Sequence, residues 1–507
     1  MEWGGSDMNA NSGSYNYFSS DAKVSFDGFI NENYFLLDKR EQNLVQNISI
    51  THAITKNPFN YKKDAFIGLF LKSKYDGYGN RHPIDLSIAL DISGSMRTID
   101  GNDGKSRVKL ALESLTKLVG IMDQETDRMS LITFNHETQK IFGLLGKNEI
   151  QKKYLNDLKE IEAIGLTDLV LALKEAMNNM DISEESKNTK KDKRIIMITD
   201  VDYDDENDDL LTLFKTCVEE KGISITVIAI SSNSNLTLAD KICKYKGCNY
   251  FSITQSSELE TFLVKYYNYI FFPIAHESKI TIKSENSHII KCIGADNEFT
   301  DDYEKEDNTI KKKDTSKEIS FDFGSLFSSE IITIKNKEGD DKLFVKGGII
   351  LLKINSDDIN KNEDLKFDFN FEYTSFDGKK SSQNYSYVIE NREENKENYF
   401  FKDNNIRKGI SIYYFCIILN RMCEIEIETQ GLYPNDKKEK LKEIYIKLLE
   451  TRQSVSDYLK NNFILEPNNQ ETINNLENYF KIIDGRYSGF KYNLDTLNEL
   501  VEPSKED

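Results

Sequence analysis

The sequence predicts an α/β protein: a doubly wound, mostly parallel sheet inserted between β-sandwich segments and followed by a C-terminal α-helical hairpin. Three observations predict it. Near-continuous apolar runs, such as 84–90 and 194–199, read as strands buried on both faces. Between such runs lie stretches with apolar residues three or four apart, for example Val108, Leu112, Leu115, Val119 and Met122, the spacing of an amphipathic helix. On either side of this alternating region, the chain is strand-like without intervening helices.

Taken in order, 1–22 is rich in Gly, Ser and Asn and reads as a disordered tail. An N-terminal β segment over 23–80 holds strand-like runs at 34–37, 44–54 and 65–71. The α/β region spans 84–272. Its strands are expected at 84–90, 128–134, 194–199, 223–230 and 250–253, and its helices at 105–122, 150–161, 168–180, 208–220, 236–245 and 257–269. A second β segment, 275–392, carries runs at 279–282, 289–293, 319–323, 330–335, 343–353, 365–373 and 385–389. A charged insertion at 301–318 interrupts it and reads as a mobile loop. From 400 to 485 the sequence is helical: 405–427 and 437–463 form a hairpin about Gly431 and Pro434, a third helix lies near 471–483, and 486–507 is a tail.

Charge narrows the function classes. The 507 residues carry 85 acids and 66 bases, a net charge of −19, so a general nucleic-acid binder is not expected. No run reaches the ~18 apolar residues of a membrane helix, and no apolar leader follows Met1. The expectation is a cytoplasmic protein without a membrane span. The six cysteines lack zinc spacing; Cys243 and Cys248 could form a redox pair, but buried free thiols are the expectation. Oligomeric state is not legible.

The chemistry-bearing signal is Asp91-Ile92-Ser93-Gly94-Ser95-Met96, directly after the first buried strand. A carboxylate and two hydroxyls at alternating positions, at the carboxyl end of a doubly wound sheet, suit a hard divalent cation. Two more oxygens come from neighbouring loops: Thr167, in Gly165-Leu166-Thr167-Asp168, and Asp200, which ends the run 195–199.

Asp91, Ser93, Ser95, Thr167 and Asp200 together resemble the metal-ion-dependent adhesion site (MIDAS) of the von Willebrand factor type A (VWA) domain, whose motif is Asp-x-Ser-x-Ser, then Thr, then Asp. The resemblance covers 84 to about 272 and implies a Rossmann-like fold. It also implies that Ser93, Ser95 and Thr167 contact Mg²⁺ (or Ca²⁺ or Mn²⁺) directly, while Asp91 and Asp200 act mostly through water. An Asp or Glu carboxylate of a protein partner would complete the octahedron. The flanks resemble proteins in which this domain interrupts a β-sandwich. One departure is Val201, where the family has Gly after the last Asp.

Seven acids fall within 200–209, with no base among them. They either strengthen cation binding and favour Ca²⁺, or form a solvated loop and helix start. The stretch is no EF-hand, since Asp205 and Leu211 replace that motif's Gly and Glu. The function expected is cation-dependent recognition of an acidic residue on a protein, without enzyme activity. The alternatives are a metal-dependent phosphoester hydrolase at the same cation, disfavoured by the absence of phosphate-binding motifs and clustered histidines, and a surface adhesin.

Overall fold

The computed structural model describes residues 26–31, 33–37, 46–73, 81–100, 104–155, 157–180, 191–200, 208–230, 241–243, 245–253, 255–294, 317–335, 339–359, 363–375, 378–391 and 399–430, with short pieces at 453–454, 457–461 and 481. Both tails, most of the charged insertion, Val201 with the acidic run to 207, most of 236–245, and most of the second and third C-terminal helices lie outside the described residues.

The N-terminal segment forms α1 (Phe26–Asn31), β1 (Tyr34–Leu37), β2 (Gln46–Lys56) and β3 (Lys63–Ser73). The alternating region follows with β4 (Ile84–Asp91), α2 (Arg107–Ile121), β5 (Arg128–Phe134), β6 (Thr138–Gly146), α3 (Lys147–Lys153), α4 (Leu169–Asn178), β7 (Asp192–Thr199), α5 (Asp208–Lys215), β8 (Ser224–Ile230) and β9 (Asn249–Ile253).

These six strands make one sheet in the order β6-β5-β4-β7-β8-β9, parallel throughout except for the edge strand β6. Alternate side chains of the buried strands feed opposite faces. Leu86, Ile88 and Leu90 pack with Leu115 and Val119 of α2 on one face, whereas Ala89, Ile195 and Met197 pack with Leu173 of α4 and Phe214 of α5 on the other. Strand order runs outward from β4 in one direction and from β7 in the other. The crevice between their carboxyl ends is therefore the switch point at which such sheets bind ligands.

The rest of the chain supplies β10 (Pro273–Ser284), β11 (Ile289–Ile293), β12 (Glu318–Phe327), β13 (Ile331–Lys335), β14 (Asp341–Lys346), β15 (Ile349–Ile354), β16 (Leu365–Ser375), β17 (Lys380–Ile389), β18 (Phe400–Phe401) and α6 (Asn404–Gln430). The four-stranded sheet β12-β10-β16-β17 and the five-stranded sheet β11-β15-β3-β2-β18 share one core, in which Ile280, Phe369 and Phe371 meet Ile67, Leu69 and Leu352. Chain from both sides of the α/β region thus pairs in a single sheet, β15 against β3. The outer face of that sheet carries Phe66, Phe70 and Leu351 against Ile406, Ile410, Tyr413 and Tyr414 of α6.

Several elements differ from the sequence reading. The run 343–353 is two strands in two sheets, because Gly347 and Gly348 both take positive φ, 73° and 83°, and turn the chain between β14 and β15. Strand β1 joins β14 and β13 in a separate three-stranded sheet. The sequence pattern does not predict strand β6, and the helices expected over 208–220 and 257–269 contain π-helical turns at Thr216–Glu220 and Thr261–Lys265. Among the described residues no helix is long and apolar enough to cross a membrane.

Candidate metal centre

Strand β4 ends at Asp91, which is fully buried, and the chain turns at once into a short 3₁₀ helix, Gly94–Arg97. Met96 anchors this turn in the core, leaving Ser95 and Arg97 exposed on either side. The Asp91 carboxylate fixes the loop: Oδ1 accepts the Ser93 amide at 2.7 Å, and Oδ2 accepts the Thr199 hydroxyl at 2.6 Å from the end of β7. Burial pushes the Asp91 carboxyl above the usual carboxylate range, although the bonds from Thr199 and Ser93 oppose this; the nearby Asp200 charge adds to the rise.

Beyond that carboxylate, two hydroxyls lead to a second one. The Ser93 and Ser95 hydroxyls are 3.0 Å apart, and Ser95 Oγ donates to Asp200 Oδ1 at 2.8 Å. Four of the five residues expected from the sequence are therefore brought together by the ends of β4 and β7. The fifth, Thr167, sits on the loop 163–168, which is clamped to the same turn by backbone bonds from Gly94 to Gly165 at 2.9 Å and from Ile164 to Ile92 at 2.6 Å. Asp168 then caps α4 by accepting the Leu171 amide at 2.9 Å, which fixes Thr167 one residue before the helix cap.

Gly165 is required where it stands. Its φ is +91°, and a Cβ would lie 2.7 Å from His136 Nδ1 and 3.2 Å from Asn135 Nδ2. Asn135 holds the loop from below, donating to the Ile164 carbonyl at 2.8 Å while its own carbonyl accepts the Asp168 amide at 2.8 Å.

Sequence reasoning missed Thr199, Asn135, Asp100, Arg107 and His136. Asp200 Oδ2 accepts Arg107 Nη1 at 2.7 Å, and Arg107 Nε donates to Asp100 Oδ2 at 2.8 Å. Asp100 Oδ1 accepts the Ser256 amide and hydroxyl at 3.2 and 2.7 Å. A cation at helix position one runs against the helix dipole, and that mismatch was the available signal for Arg107. The other four carry no motif.

Among the described residues no group of three or more His, Cys, Asp or Glu side chains is placed to hold a metal ion by itself. The donors here are instead hydroxyls with two carboxylates, hard oxygen ligands of the kind Mg²⁺, Ca²⁺ and Mn²⁺ accept and soft metals do not. The residues present fit such an ion.

The family profile of the von Willebrand factor type A domain matches residues 85–264. No curated protein sequence matches the chain. Among solved structures, the chain is similar to a von Willebrand factor type A protein from Catenulispora acidiphila, at 10% identity over 84% of this chain and 89% of that one, with a TM-score of 0.42. It is also similar to the ArnB paralog VWA2 from Sulfolobus acidocaldarius, at 14% identity over 87% and 98%, TM-score 0.36. A third likeness is an aerotolerance-related membrane protein from Bacteroides fragilis, at 19% identity over 36% and 97%, TM-score 0.29. With the profile match laid over this sheet and its crevice, residues 85–264 are a von Willebrand factor type A domain, carried within a longer chain.

Proposed function

We propose that this chain is a divalent-cation-dependent protein-binding protein without enzyme activity of its own. Ser93, Ser95 and Thr167 would hold the ion directly, Asp91 and Asp200 would hold it mostly through water, and an Asp or Glu side chain of a protein partner would complete its coordination. The observation that carries this reading is the linked set at the switch point, in which the Asp91 carboxylate accepts the Ser93 amide, the Ser93 and Ser95 hydroxyls meet, and Ser95 donates to Asp200. When bound, the ion supplies positive charge at an edge whose own side chains are acidic, so a carboxylate can approach only after the metal.

Support for a macromolecular ligand comes from the surroundings. Ile99, Ile164 and Leu166, 57%, 60% and 79% exposed, stand on the two loops that frame the site. Large apolar side chains left in water beside a polar centre are the composition of a protein-contact surface.

The test is a titration of Mg²⁺, Ca²⁺ and Mn²⁺ against thermal stability, with wild type and Asp91→Ala side by side. Metal-dependent stabilisation is expected only in wild type, and its absence there sinks the assignment. A pull-down with and without EDTA then asks for a cation-dependent protein partner. A second reading, a phosphoester hydrolase, draws on His136, whose ring lies against Gly165 of the metal loop. Cation-dependent phosphoester turnover lost in Asp91→Ala would favour it.

A further inference from the structure

We infer that Arg107 is a built-in counter-ion of the metal centre, which lets the site fold without metal and sets its preference for a divalent charge at the cost of affinity. The inference rests on the metal reading above and concerns a residue outside the expected ligand set.

The geometry is specific. The Asp200 side chain is fully shielded, and both of its oxygens are occupied, Oδ1 by the Ser95 hydroxyl and Oδ2 by Arg107 at 2.7 Å. Arg107 does not hang loosely from α2. Its Nε edge is held by Asp100 at 2.8 Å, and Asp100 is in turn held by both the amide and the hydroxyl of Ser256. A guanidinium gripped by two carboxylates in a fork is a fixed charge, not a solvated one. Its position argues the same way. As the first residue of α2, with no acid in that helix's first turn, it weakens the helix, so its benefit lies with the carboxylates it meets.

Charge balance gives the consequence. Asp91, Asp200 and Asp100 carry three negative charges when ionised, and Arg107 offsets one. One divalent cation brings this set to neutrality. Without Arg107 the same set would be matched by a trivalent ion, and every cation would be drawn in more strongly. Arg107 would then relieve repulsion between Asp91 and Asp200 while the site is empty, and would oppose the ion once it enters.

The experiment measures Mg²⁺ and Tb³⁺ affinity by calorimetry on the full chain, for wild type, Arg107→Gln and Arg107→Lys. Arg107→Gln should bind Mg²⁺ about tenfold more tightly, as expected when a unit positive charge is removed close to a divalent ion. It should gain still more for Tb³⁺ and melt at a lower temperature in EDTA. Arg107→Lys keeps the charge and should stay near wild-type affinity. Unchanged or weaker Mg²⁺ binding in Arg107→Gln overturns the inference, as does equal tightening in Arg107→Lys. Should Arg107→Gln fail to fold, Asp100→Asn decides: weaker Mg²⁺ binding supports the counter-ion ledger, and unchanged or tighter binding overturns it. If wild type itself binds no metal, the metal reading fails first, and the two failures are thereby told apart.

Discussion

The Thr199 hydroxyl donates to Asp91 Oδ2 at 2.6 Å, joining the last residue of β7 to the last residue of β4. Both side chains are buried, so the bond does two things: it satisfies a carboxylate out of reach of solvent, and it aims that carboxylate at the Ser93 loop. Thr199→Val keeps the volume and removes the donor. It is expected to cost about 1–3 kcal/mol of stability, the usual penalty for a buried acceptor left short of a partner. It should also weaken Mn²⁺ binding, because Asp91 is no longer held. Urea melts and calorimetry check the two effects, and Thr199→Ser should restore both. A Thr199→Val protein as stable as wild type would show that the bond is incidental.

Gly348 meets the backbone of β3 at close quarters: its carbonyl accepts the Leu71 amide at 2.8 Å, and a Cβ on it would lie 2.8 Å from the Leu71 carbonyl oxygen. Its φ of +83° is also costly for any side chain. Gly348→Ala should therefore destabilise the chain by about 2–4 kcal/mol, through backbone strain plus a contact that cannot relax locally. Gly378 is the control, since its φ is +81° with open space around the Cβ position, so Gly378→Ala should cost only the conformational share, about 1 kcal/mol. Equal costs at the two sites would show that the close approach contributes nothing.

These glycines also mark where sequence reading stops. The buried parallel strands were legible because residues such as Leu86, Ile88 and Ile196 sit on strands with both faces covered, which leaves an almost unbroken apolar run. Strand β6 escaped because it is a partly exposed edge strand whose faces carry no regular alternation. The run 343–353 looked continuous because apolar pattern does not reveal that a Gly-Gly pair sends its halves into different sheets. At the candidate metal site, Asp91, Ser93, Ser95, Thr167 and Asp200 stand out by spacing within a family pattern. Thr199 and Asp100 meet Asp91 and Ser256 far away in the chain, and the one local trace of Arg107, a cation at the start of a helix, does not point to Asp200.

At the opposite edge of the α/β sheet, Asp127 is the hub of a shielded cluster. Its carboxylate accepts Arg81 in a fork at 3.0 and 2.7 Å, the amides of Ile84 and Asp123 at 3.2 and 2.8 Å, and the Tyr267 hydroxyl at 3.3 Å. Arg81 in turn lies over the rings of Tyr267 and Phe272. Asp127→Ala removes every one of these acceptors and leaves Arg81 without its counter-charge, so a loss of about 3–5 kcal/mol is expected. The centre lies at the other end of the strands, so the variant that remains folded should bind Mg²⁺ as wild type does. Thermal melts read the first effect and calorimetry the second; a metal affinity that fell with stability would tie the two ends together.

Asp192 opens β7, and its Oδ2 is closed off from solvent with no hydrogen-bond partner among the described residues. Burial pushes its carboxyl up to about 7, against the pull of the Arg194 guanidinium. The sign follows from the direction of the shift. A carboxyl raised in the folded state favours the fold while it keeps its proton, so its contribution is full below about pH 4 and is lost as pH rises through about 7. Asp192→Asn carries no charge at any pH and so escapes that loss. The variant is expected to match wild type within error near pH 4, and to exceed it by about 4 kcal/mol at pH 8, with the gap opening across the interval between. Guanidinium melts at several pH values measure the gap directly. A difference that stays constant from pH 4 to pH 8 would mean that Asp192 titrates like an exposed carboxylate, and that its unpaired oxygen finds solvent in the folded chain.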